Sequence, residues 1–319
     1  MSTNANSIYG GQAVIEGVMF AGKTVHVTAV RKKNQEIAYL EVTRNDKAWV
    51  KTLKKIPLVR GLVGIIEASA KGSQHLNFSA ESYALDENGD ADNAAGEPDG
   101  KEKQSWNLTM ILGVAVVGVL SFVVGKLIFT LVPALVEDLL FRRAFDNLII
   151  HNLIEGIIKI VLLLGYLYAI SQTPLIKRLF QYHGAEHKVI SAYEAGEELT
   201  VANVQKYSTL HYRCGSSFII LTVIIGVVIY SFFSYDTIWE RIYQRILLLP
   251  LVIGVSYETL RGTNAVRDVP LLRYLGYPGL WLQKLTTKQP TDDQVEVSIA
   301  SFQRMRELDR MHAEGARSV

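Results

Sequence analysis

Residues 106–136 read WNLTMILGVAVVGVLSFVVGKLIFTLVPALV, and Lys126 is their only charge before Glu137. A run of this length exceeds the roughly 20 apolar residues that cross a bilayer core. It reads as a first transmembrane helix and sets the class of the chain. Three further runs follow. Residues 153–170 carry only Glu155 and Lys159, residues 218–233 carry no charge, and residues 246–260 have Glu258 near their end. The last two are short enough for buried helices. However, Tyr230, Tyr235, Trp239 and Tyr243 stand at their flanks, as aromatic residues do at membrane interfaces. The expectation is a mainly α, polytopic membrane protein with about four transmembrane helices.

Composition agrees. The chain has 319 residues, of which 49% are hydrophobic and 20% charged, whereas a soluble domain is about 25% charged. Mean hydropathy is +0.17. Lys and Arg number 33 against 31 Asp and Glu, a net of +2, which excludes a globally basic nucleic-acid binder. No direct sequence-specific nucleic-acid binding is expected. A single cysteine, Cys214, excludes a disulfide scaffold.

Lysine and arginine orient the spans, because cytoplasmic loops are enriched in them. Thirteen precede the first run; two lie between the first and second, five between the second and third, two between the third and fourth, and nine after the fourth. Rich and poor segments alternate, so both termini and the central loop are expected in the cytoplasm of a plasma-membrane protein. No run near Met1 resembles a signal peptide, so an uncleaved start is expected.

Residues 1–81 read as a cytoplasmic β-rich domain with a basic amphipathic helix. Two β-branched runs, 24–31 and 36–42, flank Lys32-Lys33-Asn34-Gln35 like a hairpin. Gly10-Gly11 reads as a tight turn, since no Gly-Lys-Ser/Thr follows to make a nucleotide loop. Trp49, Leu53 and Ile56 recur at helical spacing among lysines, for packing on the sheet or on a membrane surface. Residues 82–105 are acidic and poor in large apolar groups, and read as a flexible linker. Residues 106–290 form the four-span unit. In residues 291–319, Thr291-Asp292-Asp293-Gln294 has the form of a capping box. It opens an amphipathic helix with Val295, Ile299, Phe302 and Leu308 on one face.

The chemistry lies in the central loop. His183-Gly184-Ala185-Glu186-His187 is a His-x-x-Glu-His motif, the inverted zincin order. On a helix, His183 and His187 stand one turn apart on one face and can share a metal. Glu186 would then be the general base toward a metal-activated water. Downstream, His211 and Cys214 are further soft ligands, and Glu258 is a carboxylate inside an apolar run, a functional candidate by default. The expected topology brings all of them to one membrane face. His183 and His187 with Glu258 would copy the inverted zincins. With Cys214 they would form an equally good set with one open position. With both His211 and Cys214 the shell would close and the metal would be structural. Zinc is the expected ion. Glu155 reads as a pairing or capping residue with Lys159, outside the site.

At these residues the sequence resembles the YqhQ family of bacterial membrane proteins, a family of unknown function described as predicted metal-dependent enzymes. The matching stretches are residues 10–19, Tyr182 to Lys188, Tyr207 to Ser217, Ser256-Tyr257-Glu258, residues 278–283 and Leu285-Thr286-Thr287. Tyr212 departs from the proline that the His-x-Arg-Cys stretch leads one to expect, which alters the local turn and leaves both ligands. The resemblance implies a bacterial plasma-membrane protein and little mechanism. Two functions follow as expectations. One is a metal-dependent hydrolase of inverted-zincin type, with peptide bonds as its substrate by analogy. The other is a non-enzymatic scaffold or biogenesis factor for a membrane-protein or translocon partner. A transporter ranks last, because few charges enter the spans.

Overall fold

The computed structural model describes residues 9–44, 48–87, 125, 128–144 and 146–315. Residues 88–105 of the acidic linker, and residues 106–124 of the first apolar run, lie outside the described residues.

Four antiparallel strands form a meander: β1 (Gly10–Val14), β2 (Gly17–Ala21), β3 (Val25–Arg31) and β4 (Ile37–Thr43), in that order across the sheet. The β1–β2 connection is the two-residue turn Ile15-Glu16, with Glu16 at φ +53°. A non-glycine residue in that region carries strain. Here the Glu16 carboxylate is tied to Arg178, whose Nε donates at 2.5 Å. Strand β3 is buried on both faces, and period two sorts its residues. Val25, Val27 and Ala29 enter the main core. Thr28, on the other face, meets His75 of helix α2 at 2.6 Å. Gly10 and Gly11, expected in a turn, lie in β1 instead.

The basic helical region divides into α1 (Ala48–Leu53) and α2 (Val59–Glu87), separated by Pro57 and by Leu58 at φ +67°. Helix α3 is described over 128–141. It is followed by α4 (Leu148–Ser171), α5 (Pro174–Glu194), α6 (Val201–Gln205), α7 (Ser217–Tyr230), α8 (Ile238–Leu247) and α9 (Leu249–Ala265). A short 3-10 turn (Leu272–Gly276) leads into α10 (Tyr277–Thr286), and α11 (Asp292–Gly315) ends the described chain.

The main core joins both ends of the chain to its middle. Val18, Phe20 and Val27 of the sheet pack with Tyr182 and Val189 of α5 and with Val295, Ile299, Phe302 and Met305 of α11. Half of the expected capping box is formed, as Gln294 Oε1 accepts the Thr291 N–H at 3.0 Å. Asp309, one turn beyond Met305, accepts the N–H groups of Lys23 and Thr24 at 2.7 and 2.8 Å and so holds the β2–β3 loop. A smaller apolar cluster joins Leu163 and Leu167 of α4, Ile220 and Val223 of α7, and Leu282 of α10.

The expectation of four spans is not supported among the described residues. Helix α4 alone is long and apolar enough to cross a bilayer, or two segments if α8 and α9 count as one broken span. The third run folds as α7, only 14 residues long. The fourth is broken between α8 and α9, which are bent by 52°. Pro250 in the first turn of α9 supplies the reason, since it has no N–H to bond back to α8. Glu155 is held by Arg245 and Arg241, at 2.7 Å (Nε) and 2.6 Å (Nη2). Arg241 also reaches Glu137 of α3 at 2.6 Å, which makes one buried charge network.

Candidate metal centre

Helix α5 starts at Pro174 behind Thr173, where proline's fixed φ suits the first turn. Its buried half, from Tyr182 to Ala192, packs between the sheet and α11. His183 and His187 stand one turn apart, with ring centroids 4.5 Å apart. Each imidazole is oriented by a backbone carbonyl. His183 Nδ1 donates to Thr286 O at 2.8 Å, and His187 Nδ1 donates to Thr209 O at 2.5 Å. A carbonyl can only accept, so both Nδ1 atoms carry hydrogen and both Nε2 lone pairs are left for a ligand. This is the arrangement that outer-shell carbonyls impose on metal-binding histidines. Cys214 completes the group, with its Sγ 3.2 Å from His183 Nε2. One ligand atom from each of His183, His187 and Cys214 lies within 4.8 Å of the other two.

The loop bearing Cys214 is placed by α10. Gln283, fully buried, accepts the His211 N–H and donates to the His211 carbonyl, each at 2.8 Å, and donates to Ser217 Oγ at 2.9 Å. Ser216 approaches the thiol with its N–H at 3.4 Å and its hydroxyl at 3.0 Å. Gly184, inside the motif, is required by close approach: a Cβ there would lie 2.1 Å from Lys288 O. That contact lets the 286–288 segment pass against α5 and deliver the Thr286 carbonyl to His183.

Glu186 is buried and accepts the backbone N–H of Gly11. Burial pushes its carboxyl up, and the facing His183 and His211 oppose that rise. Burial pushes His187 and His211 down, so both favour the neutral, ligating form. A Cβ on Gly11 would come within 3.0 Å of the Glu186 side chain and 2.6 Å of Met19 O. Gly11 therefore serves the site by its size. A cavity of about 310 Å³ opens beside this group, lined by Gly11, His183, Glu186, His187, His211 and Cys214.

Two expected ligands fall elsewhere. His211 stands beside His187, with ring centroids 5.7 Å apart, but stays outside the three-ligand group. Its Nε2 faces Glu194 at 3.8 Å, and its Nδ1 accepts the Arg213 N–H at 3.3 Å. Glu258 is a correction. Its carboxylate takes the Arg60 guanidinium (Nε at 2.7 Å) and the Leu58 N–H at 3.2 Å, so both oxygens are engaged away from the histidines. Sequence reasoning missed the orienting carbonyls of Thr209 and Thr286, since a backbone acceptor leaves no trace in residue identity. It also missed the roles of Gln283 and Gly11, although both lie in the stretches that carried the resemblance.

Comparison with known proteins places these features in a family. The family model described as "Protein of unknown function (DUF1385)" matches residues 56–308. The "Uncharacterized protein YqhQ" of Bacillus subtilis (strain 168) is 51% identical over 303 residues, spanning 95% of this chain and 93% of that protein. No solved structure matches.

Proposed function

The chain belongs to the DUF1385 family, and for this member we propose a membrane-bound, metal-dependent hydrolase whose ligands are His183, His187 and Cys214. One observation carries the reading: two imidazoles, each oriented by a carbonyl behind its ring, bring a ligand atom each to within 4.8 Å of one another and of a thiol. Two imidazoles and one sulfur suit zinc, and three protein ligands leave a tetrahedral position for water or substrate. When bound, zinc supplies Lewis acidity and lowers the pKa of water toward 7. Glu186 takes the proton at its carboxylate and returns it to the leaving group. Its burial raises its basicity toward the working range. The Gly11 N–H holds the carboxylate in place at the wall of the cavity. Peptide bonds are the substrate class that the inverted-zincin order favours, by analogy.

Membrane association is supported by α4. It turns Asn152 and Glu155 inward and is apolar on its outer side, with Ile157 60% and Val161 65% exposed. Such a helix needs an apolar phase. The first apolar run and α4 serve as spans in the plasma membrane, and the lysine and arginine distribution puts both termini and the site in the cytoplasm.

Metal analysis of the purified chain tests the reading. Zinc at one equivalent is expected, with loss in His183→Ala combined with His187→Ala; a metal-free wild type sinks it. A second reading rests on how many segments meet at the site. The group ties α5 to the 209–217 loop and α10, so a structural metal in a scaffold or translocon-associated factor is the alternative. Glu186→Gln separates the two, since it keeps metal and abolishes function in an enzyme but is tolerated in a scaffold.

A further inference from the structure

A second cavity, of about 450 Å³, lies on the other side of the β1 edge and shares Gly10, Gly11 and Gln12 with the first. Its charge is lopsided. Arg44, Lys54, Arg60, Lys71 and Arg261 line it, with Glu67 as its only carboxylate. Four separate segments supply these cations: the end of β4, the α1–α2 connection, α2 and α9. Their convergence is a product of the tertiary fold and not of one basic run.

The cations are also held in place. Glu67 bonds both lysines, with Lys71 at 2.6 Å and Lys54 in contact, so one negative charge is shared between two positive ones. Arg60 is fixed by Glu258 from α9. Gathering cations of like sign around a cavity raises its potential and concentrates anions there. Planar guanidinium groups and lysine ammonium groups are the side chains that recognise phosphate oxygens.

We propose that this cavity binds a phosphate-bearing anion, larger than inorganic phosphate alone. Trp49, Ile56 and Ile66 are exposed on α1, the connection and α2. Exposed apolar groups on and next to the segments that supply the cations fit a phospholipid headgroup at a membrane surface, and a soluble phosphate ester offers the same chemistry. If the hydrolase reading holds, the shared β1 wall makes this anion the handle of the molecule hydrolysed next door. Anion binding itself does not depend on that reading.

The test uses the full chain in neutral detergent, with a chelator present so that binding cannot run through a metal. One arm titrates glycerol phosphate by calorimetry. The other compares nanodiscs of phosphatidylcholine with nanodiscs containing phosphatidylglycerol, reading retained lipid by native mass spectrometry. Binding in either arm, at least tenfold weaker in Lys71→Gln combined with Arg261→Gln, is the expected result. The arm that responds names the source. The charge-conserving pair Lys71→Arg with Arg261→Lys should restore binding, which separates lost charge from lost fold. Absence of binding in both arms, or equal binding by the glutamine variant, overturns the proposal. A protein that carries no metal as purified, before chelator is added, and still binds the anion would sink the hydrolase reading and leave this one standing.

Discussion

Helices α8 and α11 are built on opposite rules. Helix α11 turns Val295, Phe302 and Met305 inward and leaves Arg304, Glu307 and Arg310 outside, as a helix in water does. Helix α8 turns Arg241 and Arg245 inward, onto Glu137 and Glu155, and shows Trp239 (74% exposed), Tyr243, Ile246 and Leu247 to its surroundings. Tyr235 and Tyr230 lie against the two guanidinium groups, with centroids 4.9 and 4.6 Å away. The same amphipathic pattern is used with its faces exchanged. One module of the chain shows charged groups to its surroundings and the other shows apolar ones, and the candidate metal centre lies in the first, where α10 from the other side braces it.

Removing a charge from the interior of the inverted module should have the largest effect. Arg241→Ala removes the cation that joins Glu137 to Glu155, leaving Glu137 to His151 and Glu155 to Arg245, and breaking a buried pair from one side costs about 3–5 kcal/mol. Thermal unfolding in detergent measures it, and a loss below about 1 kcal/mol would show that water reaches the network. In the module that shows its charges, Gly184→Ala forces a Cβ against Lys288 O, and overpacking of this kind costs about 1–3 kcal/mol. It should also lower zinc occupancy by moving the Thr286 carbonyl. Full occupancy at unchanged stability would show that the 286–288 segment yields freely.

The face between the sheet and α2 should respond to pH. His75, buried against Thr28 and His26, is pushed down to about 4 by loss of solvent and by the neighbouring histidine. The fold thus prefers the neutral ring, while the unfolded chain protonates near 6.5. Stability from this group is complete above pH 6.5, falls between 6.5 and 4, and levels off below. The loss is on the order of 1–3 kcal/mol. His75→Gln should flatten the melting temperature between pH 7 and pH 4; an equally steep dependence would place the titration elsewhere. Arg310→Ala, on the wet face of α11, should change stability by less than about 0.5 kcal/mol. A larger cost would mean that this face is covered in the protein's working state.

Much of the helical framework was legible from periodicity. The second apolar run is α4, and the Val295-Ile299-Phe302 stripe is the buried face of α11. The His-x-x-Glu-His spacing put both imidazoles on one face of α5, because the 3.6-residue repeat is a local property of the backbone. Partners distant in sequence were not legible. Glu258 looked like a ligand because it stood alone in an apolar run, yet its partner Arg60 lies 198 residues away. Glu155 looked paired with Lys159 four residues on, yet Arg245 stands 90 residues away. The paired glycines looked like a turn, though Gly11 is a strand residue whose missing side chain makes room for Glu186.

Residue order alone therefore determined that the second apolar run is helical, which face of α11 is apolar, and that two histidines and a glutamate share one turn of α5. Those properties depend on neighbours within a few positions. The tertiary structure decided that Cys214 and not Glu258 joins the histidines, that α8 turns its charges inward, and that β1 lines the cavity beside the site. Each of these depends on which distant group arrives to satisfy a buried charge or lone pair. A buried polar group must find a partner, but it can find one anywhere along the chain.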